Sequence, residues 1–145
     1  MSKATILIVD DEQDILISLS GILQDEGFEV LTSESGEAAW KILQQEDVDL
    51  LFLDIWLPGE DGIKILEKVG QEHAHIPVVM ISGHGNIETA VDSIKKGAFD
   101  FIEKPLSLEK VIVTASKALE FRDLQQENRD LRSRVRADYV HDLSG

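Results

Sequence analysis

Short apolar runs alternate along this chain with longer segments in which apolar positions recur every three or four residues. Thr5–Val9 (TILIV) is too short for a helix and dense in branched side chains, as a strand buried on both faces requires. Residues 14–25 place Ile15, Leu16, Leu19, Ile22 and Leu23 on one helical face, and Gly27 supplies a stop. Residues 28–32 (FEVLT) alternate and predict a half-exposed strand. Ser35 is placed to cap a helix running to about residue 45, with Ala38, Ala39, Ile42 and Leu43 inward. Leu50–Asp54 (LLFLD) is the most apolar run and predicts the central strand, followed by a turn at Leu57, Pro58 and Gly59. Residues 62–69 predict a short helix with Ile63, Ile65, Leu66 and Val69 on its apolar face, and residues 77–82 a fourth strand. Asn86 is placed to cap a helix over residues 87–96 that Gly97 ends. Residues 99–103 form a shorter fifth strand, and Ser107 caps a last helix beginning near Leu108.

Five repeats of strand then helix predict an α/β fold, a parallel sheet covered on both faces by helices with right-handed crossovers. The expected architecture is a flavodoxin-like (βα)5 doubly wound sheet of order 2-1-3-4-5 with an extended C-terminal helix. In that helix Leu108, Val111, Ile112, Ala115 and Leu119 are placed to pack on the sheet. Beyond them Phe121, Leu124, Asn128, Leu131 and Val135 recur at alternating spacings of three and four, an a/d seam about two heptads long. Two readings stay open: a solvated helical tail, or a dimerising coiled coil in which Asn128 fixes the register. The pattern fades after Arg136, so the expected division is a domain over residues 1–120 and a helical linker over residues 121–145.

The apolar fraction of 43% is ordinary for a folded protein. Acidic residues outnumber Lys and Arg by 28 to 14, for a formal charge of −14. Such a surface repels a phosphate backbone, which argues against nucleic-acid binding by this chain, and attracts a metal ion or a basic partner instead. The absence of cysteine excludes disulfides, thiolate chemistry and Cys-type zinc sites. The apolar runs are too short to span a bilayer and the N-terminus leads directly into a strand, so a cytoplasmic, soluble protein without a membrane partner is expected.

In open α/β sheets functional groups gather at the carboxyl ends of the strands. Here the first strand ends in Asp10, Asp11 and Glu12, the third in Asp54, the fourth in Ser82, Gly83 and His84, and the fifth in Lys104 and Pro105. An Asp pair before a helix commonly acts as a cap, and a lone Asp, Ser or Lys at a strand end is commonly structural. It is their joint placement that changes the reading. Strands one and three are neighbours in the 2-1-3-4-5 order, so Asp10, Asp11 and Asp54 converge and repel, and a hard divalent cation such as Mg²⁺ relieves the conflict. A carboxylate is also a nucleophile toward phosphorus, with Lys104 and Ser82 supplying cationic and hydroxyl donors for the charge that develops.

The segments Ile8-Val9-Asp10-Asp11-Glu12, Leu53-Asp54-Ile55-Trp56-Leu57-Pro58-Gly59, Ile81-Ser82-Gly83-His84 and Ile102-Glu103-Lys104-Pro105 together resemble the response-regulator receiver family, over about residues 4–120. The resemblance implies that Asp54 accepts a phosphoryl group from a sensor histidine kinase. It implies that Asp10, Asp11 and Asp54 bind Mg²⁺ with the backbone carbonyl of Trp56. By the same resemblance Ser82 is the switch hydroxyl, Lys104 contacts the phosphoryl group, Phe101 is the switch aromatic, and the bond between Lys104 and Pro105 is often cis. Trp56 and His84, two residues beyond Asp54 and Ser82, stand where family members vary. Trp56 either shields the acyl phosphate from water or serves as an exposed binding aromatic, and His84 reads as a loop residue rather than a base.

The run from Val79 to Val91 and that from Gly97 to Pro105 are similar to the NtrC/NtrX group of sigma-54-dependent activators. In that group a helical linker leads to an AAA+ ATPase and a DNA-binding domain. The resemblance implies a receiver and linker from a longer regulator, with residues 142–145 opening the ATPase domain. It also implies a homodimer through the last helix and no enzymatic activity beyond self-phosphorylation and self-dephosphorylation. The rival classes are an aspartyl-nucleophile phosphatase, a flavin-binding module of the same topology, and a plain oligomerisation module. Phosphatases of that type separate their two acids by one residue, whereas Asp10 and Asp11 are adjacent, and the acidic first loop repels a flavin phosphate.

Overall fold

A computed structural model describes residues 3–83 and 85–144, with the helical backbone alone over 132–144. Strands β1 (Thr5–Val9), β2 (Glu29–Ser33) and β3 (Leu50–Asp54) alternate with helices α1 (Gln13–Asp25) and α2 (Gly36–Gln45). A two-stranded hairpin of β4 (Trp56–Leu57) and β5 (Glu60–Asp61) then precedes α3 (Gly62–Glu72). The chain continues through β6 (Val78–Ser82), α4 (Ile87–Lys95), β7 (Asp100–Glu103) and α5 (Leu108–Ser144).

The main sheet is wholly parallel, in the order β2-β1-β3-β6-β7. With the hairpin set aside this is the expected 2-1-3-4-5 order, a flavodoxin-like α/β fold. The central strands β1, β3 and β6 are buried on both faces, which is why their sequences are continuous apolar runs. Edge strand β2 is only partly buried, and its exposure does not alternate as expected: Glu29 and Thr32 are exposed, Val30 and Leu31 half-buried and Ser33 buried. One core lies between the sheet and α2, α3 and α4, around Leu7, Leu51, Leu53, Leu66 and Met80. The other lies under α1 and α5, around Ile8, Leu19, Phe52, Val79 and Val111.

Several local expectations are corrected. The expected turn is present at Pro58 and Gly59, where it joins two short strands into a hairpin, whereas α3 runs three residues beyond the expected end at residue 69, to Glu72. Ser35 caps α2 through Ala38 N–H at 3.2 Å, but Asn86 stands at the start of α4 without a side-chain cap. Ala38 faces solvent, and the partly buried Trp40 packs on the core in its place. Leu108 is 59% exposed, whereas Val111, Ala115 and Ala118 carry the packing of α5. This follows from the docking of α5 beginning one turn into the helix.

The start of α3 is pressed against the end of β3. Gly62 N–H donates to the Ile55 carbonyl at 2.8 Å, and a Cβ at residue 62 would stand 2.3 Å from the Asp54 carbonyl oxygen and 2.7 Å from that of Ile55. These neighbours are backbone and cannot step aside. Gly62→Ala is therefore expected to destabilise by about 2–3 kcal/mol, the overpacking range. Gly21→Ala, in α1 with nothing within 4 Å of its added methyl, is expected to stabilise by about 0.5–1 kcal/mol. Urea unfolding of both variants checks the pair, and equal effects would refute the steric argument.

Candidate functional site

The carboxyl ends of β1, β3, β6 and β7 meet in one acidic cleft. Carboxylate oxygens of Asp10, Asp11 and Asp54 all lie within 4.8 Å of one another, Asp10 and Asp54 buried and Asp11 exposed. Asp10 Oδ1 accepts the Glu12 N–H at 2.8 Å, and Asp54 Oδ1 accepts the Trp56 N–H at 3.1 Å. Each acid thus stabilises the turn that follows its own strand and leaves its second oxygen toward the cleft. Lys104 reaches in from β7, its Nζ 3.2 Å from Asp10 Oδ2, 3.1 Å from Glu12 Oε1 and 3.6 Å from Asp54 Oδ2. The contact with Asp10 Oδ2 is an ion pair whose angles fall short of a hydrogen bond, so this buried oxygen lacks a hydrogen-bond partner among the described residues.

Electrostatics follow from this crowding. Burial first, and then the charge of Asp10, push the Asp54 carboxyl up to about 6. Asp10 is likewise raised, chiefly by burial. Burial pulls Lys104 down, but the charges of Asp54 and Asp10 outweigh it and hold the ammonium above its ordinary value. One cation therefore faces three carboxylates, two of them desolvated. Three clustered oxygen donors and two raised carboxyls, facing a single ammonium among the described residues, make a donor set that fits a hard divalent cation.

Ser82 stands at the end of β6, fully buried, its Oγ without a hydrogen-bond partner among the described residues. Phe101 is half-buried on β7, level with Met80 of β6, and packs on the core under α2, α3 and α4. The peptide bond between Lys104 and Pro105 is cis. Trp56 is 56% exposed beside Asp54, and His84 lies outside the described residues. Away from the cleft, the Phe121 ring tilts against Phe99 at 5.3 Å, while Leu124, Asn128 and Leu131 are exposed along α5. The side chain of Val135 lies outside the described residues.

Two contributors were not singled out from sequence. Glu12, read only as part of an acidic run, supplies the shortest contact to Lys104. Glu60 accepts the Gly36 N–H at 2.7 Å, tying the hairpin that carries Trp56 to the N-terminus of α2. A carboxylate at a helix N-terminus is favourable, but its 24-residue separation from Gly36 leaves no local signal.

The family model for the response regulator receiver domain matches residues 6–116. The nitrogen assimilation regulatory protein NtrX of Azorhizobium caulinodans is 49% identical over 129 residues, 88% of this chain and 28% of that protein. Among solved structures, NtrX from Brucella abortus in complex with ATP superposes with a TM-score of 0.86 at 48% identity, over 90% of this chain and 30% of that one. The receiver domain of the same B. abortus protein matches with a TM-score of 0.77 at 50% identity, over 79% of this chain and 98% of that one. The chain thus spans less than a third of the length of the curated relatives it matches.

The raised Asp54 carboxyl carries a stability signature. An acid whose pKa rises on folding holds its proton more tightly when folded, so its contribution is complete below the unfolded value of 3.8 and is lost as pH climbs through about 6. In metal-free buffer, Asp54→Asn is expected to remove that loss. Its advantage over wild type should open between about pH 4 and 6 and reach on the order of 1–3 kcal/mol above it. Thermal unfolding across this range checks the sign, and a variant less stable than wild type at neutral pH would refute it.

Proposed function

The chain belongs to the response regulator receiver family, and on that premise we propose that its acidic cleft is a phosphoryl-accepting switch centred on Asp54. The observation that carries this reading is the gathering, at four strand ends, of three carboxylates, an ammonium and a buried hydroxyl that has no hydrogen-bond partner among the described residues. The donor is the phosphohistidine of a sensor histidine kinase. Asp54 Oδ2, the oxygen left free by the Trp56 N–H, attacks phosphorus. The P–N bond to the donor breaks with its electron pair leaving on histidine nitrogen, and an acyl phosphate forms on Asp54. Asp10, Asp11 and Asp54, with the Trp56 carbonyl, would hold Mg²⁺. When bound, the ion neutralises carboxylate charge and that of the transferring group.

Lys104 then exchanges part of its carboxylate contacts for phosphoryl oxygens, and the Ser82 hydroxyl donates to one of them. Phe101 turns inward as Ser82 shifts, biasing the α4–β7–α5 surface between two states. The chain is no enzyme toward other substrates, acting only in its own phosphorylation and slow dephosphorylation. It works in the cytoplasm as residues 1–120 of a receiver followed by a helical linker. The output is a sigma-54-type regulator whose ATPase and DNA-binding parts follow α5, consistent with the ATP complex of the B. abortus relative. Linker helices from two copies pair along Leu124, Asn128 and Leu131, so that phosphorylation alters oligomeric state.

Asp54→Asn is expected to lose labelling by acetyl phosphate or a cognate kinase, and EDTA to abolish labelling of wild type. Wild-type levels in either case would overturn the assignment, and turnover of a phosphomonoester would favour a phosphatase. For Trp56, shielding predicts that Trp56→Ala loses the phosphoryl group severalfold faster. An unchanged rate of phosphate release assigns Trp56 to partner binding instead.

A further inference from the structure

A second cavity lies at the opposite end of the sheet from Asp54, where α5 leaves the domain. It has a volume of about 680 Å³ and is walled by residues 74–77 before β6, residues 97–99 before β7, and one face of α5. That volume falls within the range of small-molecule sites. Its α5 wall presents Arg122, Gln125 and Arg129, spaced three and four apart and so aligned on one side of the helix. His75 and the Phe99 and Phe121 rings, which tilt against each other at 5.3 Å, are also in the lining. Among the described residues no carboxylate lines this cavity.

That lining is unusual for this chain. Acids outnumber bases two to one, and residues 1–120 contain nine lysines but no arginine. All five arginines fall between residues 122 and 136. Arg122 is held from outside the cavity by Asp49 at 2.9 Å and Asp123 at 3.7 Å, which orients its guanidinium but leaves its buried Nε without a partner among the described residues. Arg129 makes no ion pair among the described residues. Guanidinium groups present planar, paired donors that match phosphate and carboxylate oxygens, which ammonium groups do not. Partial burial, and then the charges of Arg122, His73 and Arg129, hold the His75 imidazole below its ordinary value against the opposing charge of Asp47.

We propose that this cavity binds a small organic phosphate carrying a flat aromatic ring, of the nucleoside monophosphate class. Arg122, Arg129 and Gln125 hold the phosphate, and Phe99 and Phe121 receive the ring. The bound molecule straps residues 121–129 to the loops beneath the sheet and so sets the direction in which α5 departs. The site shares no residue with the Asp54 cleft and stands independently of its chemistry.

The test is amide-resolved NMR of the whole 145-residue chain in EDTA without Mg²⁺, titrated separately with AMP, adenosine and inorganic phosphate. AMP is expected to give saturable shifts confined to residues 74–76, 97–99 and 121–129, with adenosine and phosphate each at least roughly tenfold weaker. Arg129→Gln, at an exposed position, should weaken AMP roughly tenfold, the loss of a charged hydrogen bond, with an unchanged melting temperature. Arg122→Gln provides a second variant, with its fold checked by the same spectrum. Absence of saturation, shifts centred on Asp10 and Asp54, undiminished binding by Arg129→Gln, or phosphate binding as tightly as AMP would each overturn the proposal.

Discussion

Among the described residues, Lys104 is the cation that pairs with Asp10 and Asp54, two carboxylates that the parallel sheet forces together, and with Glu12 beside them. Asp10 and Asp54 end adjacent strands β1 and β3, and their desolvation raises both carboxyls. Without a positive group between them the cleft would be a site of uncompensated repulsion. The ammonium reaches it because β7 lies beyond β6 at the sheet edge and the Lys104 N–H donates to the Ser82 carbonyl at 2.9 Å, fixing one strand end against the next. Compensation by one ammonium is partial, so the cleft keeps an excess of negative charge.

The surroundings of the cleft follow from the same geometry. The continuous apolar sequences of β1, β3 and β6 keep the strand ends from sliding, because a shift in register would move buried side chains against two packed faces. Gly62 allows α3 to begin directly against the Asp54 and Ile55 carbonyls. Glu60 fastens the intervening hairpin to α2. The backbone beside Asp54 is therefore supported from both flanking helices, while the Trp56 side chain remains free at the surface.

Helix α5 joins two different physical regimes. Val111, Ala115 and Ala118 are buried against the sheet, whereas Leu124, Asn128 and Leu131 face outward. Between them, Phe121 on Phe99 and Arg122 on Asp49 fasten the helix where it leaves the domain. This junction stands between the packed and the exposed parts of α5.

By itself the sequence determined the strand–helix alternation, the sheet order and the convergence of Asp10, Asp11, Asp54, Ser82 and Lys104. Those depend on local periodicity and on the rule that parallel strands deliver their ends to one edge. The exposure of Leu108, the bare start of α4 at Asn86 and the outward Ala38 were not legible, because each is decided by how closely a helix docks. Glu12 on Lys104 and Glu60 on Gly36 were hidden for another reason. A carboxylate's partner across many residues is chosen by where backbones meet in space, and no spacing along the chain encodes that. The cavity beneath the sheet belongs wholly to tertiary structure, since His75, Phe99 and Arg122 come together only when two loops and one helix close on each other.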